Sequence, residues 1–326
     1  MKPQADHIRH VIAISGSSSA PARSPIAASW RRSLTMHGLD PGQAVSKDRL
    51  ADAELRLRRQ QLEQFLQVSG PKLDQLFALV GQSGCAVLLC DRDGVVLDQR
   101  CCDADRDIFK SWGLSEGMNW SEAAEGTNGI GTCLAENRSV IIHRDDHFLA
   151  RNTGMSCIDA PIYGPEGQLV GALDVSSARS DQTEAFNRLI AAMVSQTARQ
   201  IEADSFCAAY PQMRILRADA DDTDAAALLA VDSDDIVIGA TRGARKAFGL
   251  ASSGPITPLP ATDIFGRGDL LRGFEKAERA AVFRALTRAG GNVSEAARGL
   301  GVGRATLYRR MKRLGINDTG ANVSQD

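Results

Sequence analysis

Seven cysteines are present, yet no Cys-x-x-Cys pair occurs among them. Cys101 and Cys102 are adjacent, and Cys85 and Cys90 lie five apart. Neither spacing suits a zinc ribbon or knuckle, so no metal site is expected. An odd cysteine count without a secretory signal also argues against a disulfide framework, and most of these thiols read as small core hydrophobes. Long hydrophobic runs are missing too. Stretches such as Cys85 to Cys90 fall far short of the roughly 18 residues that cross a bilayer. Val11 to Ile14, preceded by two histidines and an aspartate, makes a poor secretion signal. The expected location is therefore cytoplasmic, with no membrane partner. No lysine follows a glycine, so a Gly-x-x-x-x-Gly-Lys phosphate loop cannot be built.

What remains is a chain of 326 residues, 43% hydrophobic and 24% charged, the balance of a globular protein of two domains and a fragment. Its net charge of −2 conceals an asymmetry. From Ala277 to Ile316 stand nine basic residues against Glu278 and Glu295, giving +7 and leaving −9 for the rest. A basic end on an acidic body points to nucleic-acid binding.

The opening residues, up to a Gly-Ser-Ser-Ser-Ala-Pro run, read as a flexible lead-in. Asp52 to Val68 suits a helix ended by Gly70, and Pro71 opens the next, with Leu73, Leu76, Phe77 and Val80 inward. Hairpins follow at Ala86 to Asp98, through an Asp-Gly turn, and at Asp159 to Ser176. The segment between them, Asp103 to Asn152, is dense in turn formers. A long helix is expected from Asp181, with Phe186, Leu189, Ile190, Met193, Val194, Thr197 and Ile201 on one face. A third hairpin, Ala226 to Ala240, precedes a short helix and the Gly- and Pro-rich stretch Gly254 to Pro260. It is too short for a confident core of its own and reads as a fragment or spacer.

Ala277 to Ala289 forms a helix with Val282, Leu286 and Ala289 inward, closed by Gly290-Gly291. Asn292 caps the next helix, with Glu295 placed for a capping box. Val293, Ala296, Ala297 and Leu300 make one apolar stripe. After Gly301-Val302-Gly303, Leu307, Met311 and Leu314 make another. This is a helix-turn-helix, whose second helix enters the major groove. Arg304, Ala305 and Thr306, near its N-terminus, are expected to reach base edges. Tyr308, Arg309 and Lys312 also point outward, with Arg310 and Arg313 on the flanks. Lys312 and Arg313 are expected on phosphates.

The segment Gly291 to Ile316 resembles the Fis-type helix-turn-helix that ends bacterial sigma-54-dependent activators. Gly303 stands where that family usually has a capping serine, a change costing about a few tenths of a kcal/mol. Trp30-Arg31-Arg32-Ser33, Gly38-Leu39-Asp40-Pro41, Trp120-Ser121-Glu122 and Glu125 to Thr132 resemble the N-terminal GAF region of the acetoin-catabolism and dihydroxyacetone-operon activators. Cys157, Pro161 and Leu173-Asp174-Val175-Ser176 add to this likeness, and Ala226 to Ala240 resembles their PAS-like remnant. The resemblance implies an α+β protein. Residues 1–70 form a lead-in and helix, and 71–205 a GAF-like sensor with an antiparallel sheet and flanking helices. A PAS-like fragment and linker fill 206–276, an all-α reader 277–316, and a disordered tail 317–326. It also implies a homodimer on inverted repeats of double-stranded DNA, with RNA polymerase or a full-length activator as further partners. Such relatives place an AAA+ ATPase between sensor and reader. Phe206 to Lys276 is too short for one, and the Gly-Ala-Phe-Thr-Gly-Ala contact motif is absent.

The sensor pocket is expected between the first two hairpins, for a small-molecule effector that the sequence does not name. Trp120, Ile130 and Phe148 would be its apolar walls, and Asn128, Thr132, His147 and Cys157 its polar groups. Alternatively, Gly126 to Thr132 only shapes a turn and the start of a helix. His143 and His147 invite a metal reading, but surface histidines fit a loop better. No cofactor is expected. Two other functions stay open: a GAF-type thiol enzyme reducing free methionine sulfoxide through Cys101, Cys102 or Cys157, and an adaptor without a ligand that inhibits a full-length activator.

Overall fold

The computed structural model describes residues 2–44, 48–177, 179, 182–218, 227–265 and 273–316, so the tail expected over 317–326 lies outside the described residues. The chain divides into two compact units, Met1–Ala261 and Thr262–Asp326.

The expected flexible lead-in is instead helical: α1 (Lys2–Ser15), α2 (Ala20–Arg23) and α3 (Pro25–Thr35). Ser24 caps α3 by accepting the Ala27 N–H, and Pro25 occupies the first turn, where its missing N–H costs nothing. Val11 of α1 and Trp30 of α3 bury against Phe148 and Leu149. This apolar anchorage overrides the serine-rich link. The next break also differs from expectation. Helices α4 (Asp52–Gln61) and α5 (Glu63–Val80) part at Leu62, and Pro71 lies inside α5. Phe65, Ser69, Leu73, Leu76 and Val80 form one buried stripe through the proline, so packing outweighs the lost hydrogen bond.

A five-stranded antiparallel sheet follows, in the order β2-β1-β5-β4-β3. Its elements run β1 (Cys85–Asp91), β2 (Val96–Arg100), α6 (Arg106–Ser111), α7 (Glu122–Glu125), α8 (Gly129–Glu136), β3 (Val140–His143), β4 (Ser156–Tyr163), β5 (Leu169–Ser177) and α9 (Glu184–Ala209). Alternation sorts the two faces. Val87, Leu89, Ile158, Leu173 and Val175 pack under α5 and α9, whereas Leu88, Cys90, Cys157 and Ala172 face Trp120, Ile130 and Cys133. The buried face of α9 is narrower than the sequence implied. Asn187, Ile190, Val194, Ala198 and Ile201 are inside, while Leu189 is 59% exposed.

The region expected to be a fragment or spacer is a second sheet, ordered β6-β7-β8-β9. It comprises β6 (Arg214–Arg217), β7 (Leu228–Val231), β8 (Ile236–Ala240), α10 (Arg242–Ala247) and β9 (Leu259–Pro260), with α11 (Ala261–Phe265) next. Its core includes Phe206, supplied by α9. Arg245, buried, donates to the Ala240, Ala251 and Gly254 carbonyls and ties the loop together.

The second unit holds α12 (Gly273–Arg288), α13 (Val293–Gly299) and α14 (Arg304–Arg313) around Val282, Leu286, Val293, Ala296, Leu307 and Met311. Helix α12 begins one turn before the expected Ala277. Gly290 and Gly291 adopt φ of 55° and 86°, the left-handed conformation that ends α12. Asn292 accepts the Ser294 and Glu295 N–H groups at 3.0 and 3.2 Å. Its own N–H goes to the Ala289 carbonyl, so the expected capping box with Glu295 is replaced by a backbone bond.

Candidate DNA interface and sensor cleft

In the reader, Leu307 and Met311 point into the three-helix core, which turns the remaining faces of α14 outward. Arg304, Ala305, Arg309 and Lys312 are exposed, Tyr308 is 37% exposed, and Thr306 is half-buried. The Arg304 guanidinium lies 5.6 Å from the Tyr308 ring centroid, and Arg309 reaches the Thr306 hydroxyl at 3.5 Å. Arg310 and Arg313 turn back instead: both pair with Glu278 on α12, Arg310 at 3.3 Å. Among the described residues the outward charges therefore separate into an unopposed set at Arg304, Arg309 and Lys312 and a flank partly neutralised by Glu278.

The sensor's sequence motifs meet one another. Arg32 clamps Glu122 through two hydrogen bonds of 3.1 Å and reaches Glu136 at 3.1 Å. Ser29 donates to Glu122 at 2.9 Å and lies 2.7 Å from the Thr127 hydroxyl. Glu125 is held by Arg151 and by Asn152. Asn128 caps α8, accepting the Gly131 N–H and donating to the Trp120 and Gly126 carbonyls. Gly126 has φ of 64°, and a side chain there would meet Phe148 at 2.6 Å. Gly126 to Thr132 is thus a built turn and helix start, which docks α3 onto the sensor. The partners in this latch are about 90 residues apart in sequence, so spacing alone could not reveal them.

Beneath α8 lies a buried polar cluster. His147 is fully buried, unlike the surface histidine expected. Its Nδ1 faces the Arg144 carbonyl at 2.9 Å, which makes Nδ1 the protonated nitrogen and aims Nε2 at Cys157 Sγ, 3.4 Å away. Burial pushes this imidazole down to about 4. Burial, reinforced by Asp174 and Asp159, pushes the Cys157 thiol well up. The pair therefore stays neutral, and the thiolate that a nucleophile needs is disfavoured. Asp159 and Asp174 sit opposite each other in the β4–β5 register. Burial raises both carboxyls, Asp174 to about 7, and Asp174 accepts from Ser176 at 2.8 Å. Two adjacent buried carboxyls cannot both ionise cheaply. Thr132 is buried near the same helix start, and His143, which pairs with Ser156 rather than with His147, stands apart. Among the described residues no group of three or more His, Cys, Asp or Glu side chains is placed to hold a metal.

The open cavity lies elsewhere, between the end of β2 and the segment 106–120, with a volume of about 1100 Å³. Of the expected wall residues, Trp120 borders it; Ile130 and Phe148 belong to the apolar cores. The cavity adds Trp112, Leu114, Met118, Arg106 and Lys110. Their concentration in one loop-rich segment was the only signal available beforehand.

Comparison with known proteins matches residues 66–203 to the family described as GAF domain and residues 273–314 to the bacterial regulatory protein, Fis family. The chain carries a GAF domain and a Fis-type helix-turn-helix. The acetoin catabolism regulatory protein of Cupriavidus necator is 30% identical over 243 residues, which is 73% of this chain and 36% of that protein. The acetoin dehydrogenase operon transcriptional activator AcoR of Bacillus subtilis is 31% identical over 157 residues, 47% of this chain and 25% of that one. The chain thus spans about a third or less of the length of these relatives. The crystal structure of the E. coli DhaR(N)-DhaL complex shares the fold, with a TM-score of 0.52 at 15% identity over 74% of this chain and 81% of that one. The GAF domain accounts for the five-stranded sheet and its cleft. No helix among the described residues is long and apolar enough to cross a membrane.

Proposed function

We propose that this chain is a cytoplasmic, DNA-binding transcriptional regulator in which a small molecule held by the GAF domain controls a dimeric Fis-type reader. One observation carries the proposal: Arg304, Arg309 and Lys312 project, unopposed among the described residues, from a helix whose other face is locked into a three-helix core. That arrangement fits recognition of double-stranded DNA, with Arg304 near base edges and Lys312 near phosphates. The named relatives are transcriptional regulators, which supports the same reading. Burial holds Cys157 neutral and raises the Cys101 thiol, which supports a regulator over a thiol enzyme. With no phosphate loop between sensor and reader, the chain does not drive ATP-dependent remodelling by itself. On this reading it would act with RNA polymerase or a full-length activator. Gel-shift titration of the whole chain against a fragmented genomic DNA pool tests the proposal. Discrete retarded fragments are expected, and they should vanish with Arg304→Ala/Arg309→Ala. Equal retardation by parent and variant would refute the role of α14.

A further inference from the structure

We infer that the GAF cleft takes a small organic anion with a flat apolar body, its acid group seated on Arg106 and Lys110; this rests on the sensor reading proposed above. The distribution of charge around the cavity carries the inference. Two carboxylates border it, and each is already neutralised: Glu116 by Arg59 at 2.7 Å, and Glu125 by Arg151. Among the bordering cations, Arg100 is consumed by Asp74 and Asp98, and Arg49 pairs with Asp52 at 3.2 Å. Arg106 gives a single Nη to Asp103 at 2.6 Å, leaving its other donors uncommitted. The Lys110 side chain has no hydrogen bond or ion pair among the described residues.

Arg106 and Lys110 stand one turn apart on α6, so both ammonium and guanidinium serve one rim of the cavity. Guanidinium is suited to carboxylate or phosphate by its forked donors, and the lysine adds a point charge. Trp112, Leu114, Met118 and Trp120 border the same cavity, with Leu114 and Trp120 buried into the domain core. Their backing is firm: the Trp120 indole N–H is fixed on the Gly113 carbonyl at 2.8 Å, and Trp112 meets Phe109 edge-on. A cavity that joins apolar lining to a spare positive rim selects an amphipathic anion over a neutral or cationic molecule.

Calorimetric titration of the full chain with 2-naphthoate, set against its neutral isostere 2-naphthamide, tests the inference. The acid should bind saturably and at least tenfold more tightly than the amide. Arg106→Glu/Lys110→Glu, two exposed positions, should cut acid binding at least tenfold and leave amide binding within twofold, with an unchanged circular dichroism spectrum. Trp112→Ala should weaken both probes. Equal binding of acid and amide, or no effect of the double charge reversal, overturns the anion assignment while leaving the sensor reading intact. Failure of both probes to saturate also overturns it. The regulator reading is judged separately, by DNA retardation, which needs neither probe.

Discussion

Arg32 in the sensor unit reaches Glu122 and Glu136, with Glu122 almost wholly buried, and it joins helices more than 80 residues apart. Arg304 and Arg309 in the reader unit face solvent, with no carboxylate partner among the described residues. The same side chain thus serves as an internal tie in one unit and as an outward charge in the other. The difference shows why net charge alone reveals so little: a cation matters for a partner only after the carboxylates that fold onto it have been subtracted. Glu278 makes the point within the reader, since it takes Arg310 and Arg313 out of the unopposed set.

The largest expected effect comes from breaking the sensor tie. Arg32→Ala leaves Glu122 buried without its cation and should cost about 3–5 kcal/mol of stability, read from denaturant unfolding of the full chain. An unchanged midpoint would mean that Arg32 is no tie. Arg304→Ala and Arg309→Ala, in contrast, should each cost about 1–3 kcal/mol of duplex affinity and leave stability within about 0.5 kcal/mol. A reader variant that unfolds the protein would erase the contrast.

The next effect sharpens the comparison through pH, because among the described residues the sensor alone holds raised buried carboxyls. Asp174 and Glu202 are raised to about 7 and Asp159 is raised well above the usual carboxylate range, all mainly by burial. From pH 5 to 7 the folded chain keeps protons on these groups that the unfolded chain has released. Stability therefore falls as pH rises, by about 1.4 kcal/mol per pH unit for each such proton. His147, lowered to about 4, acts in the opposite sense below 6.5, where only the unfolded chain protonates it. A net loss is thus expected between pH 5.5 and 7, in thermal melts at constant ionic strength. Stability rising with pH across that interval would contradict the buried-acid assignment. The smallest effect is expected from Arg310→Ala, whose pair with Glu278 is 44% exposed on the arginine side and should contribute about 0–1 kcal/mol.

How much of this was legible beforehand differs between the two units for the same reason. In the reader the contacts are local. Stripe, cap and glycine turns lie within about one helix length of each other, so Leu307, Met311 and Asn292 were readable as core and cap. In the sensor the deciding contacts are distant. Nothing near Trp30 or Arg32 indicates Phe148 or Glu122, and the serine-rich link after Ser15 hid two docked helices. The hairpins were legible because Gly94 and Gly167 sit in turns between alternating strands. The continuous α5 was not, because Pro71 and Gly70 are local breakers that only tertiary packing overrules. The cleft was partly legible. Trp120 was identified, but Arg106 and Lys110 gain meaning only once the carboxylates around them have found other partners.

The central claim is that α14 presents the unopposed charge that holds DNA. The salt dependence of duplex binding by the full chain tests it most directly. Affinity should fall log-linearly with salt at a slope of about −0.9 for each phosphate neutralised, and Lys312→Ala should flatten that slope by about one contact. A slope near zero, or an identical slope in the Lys312→Ala variant, would contradict the account.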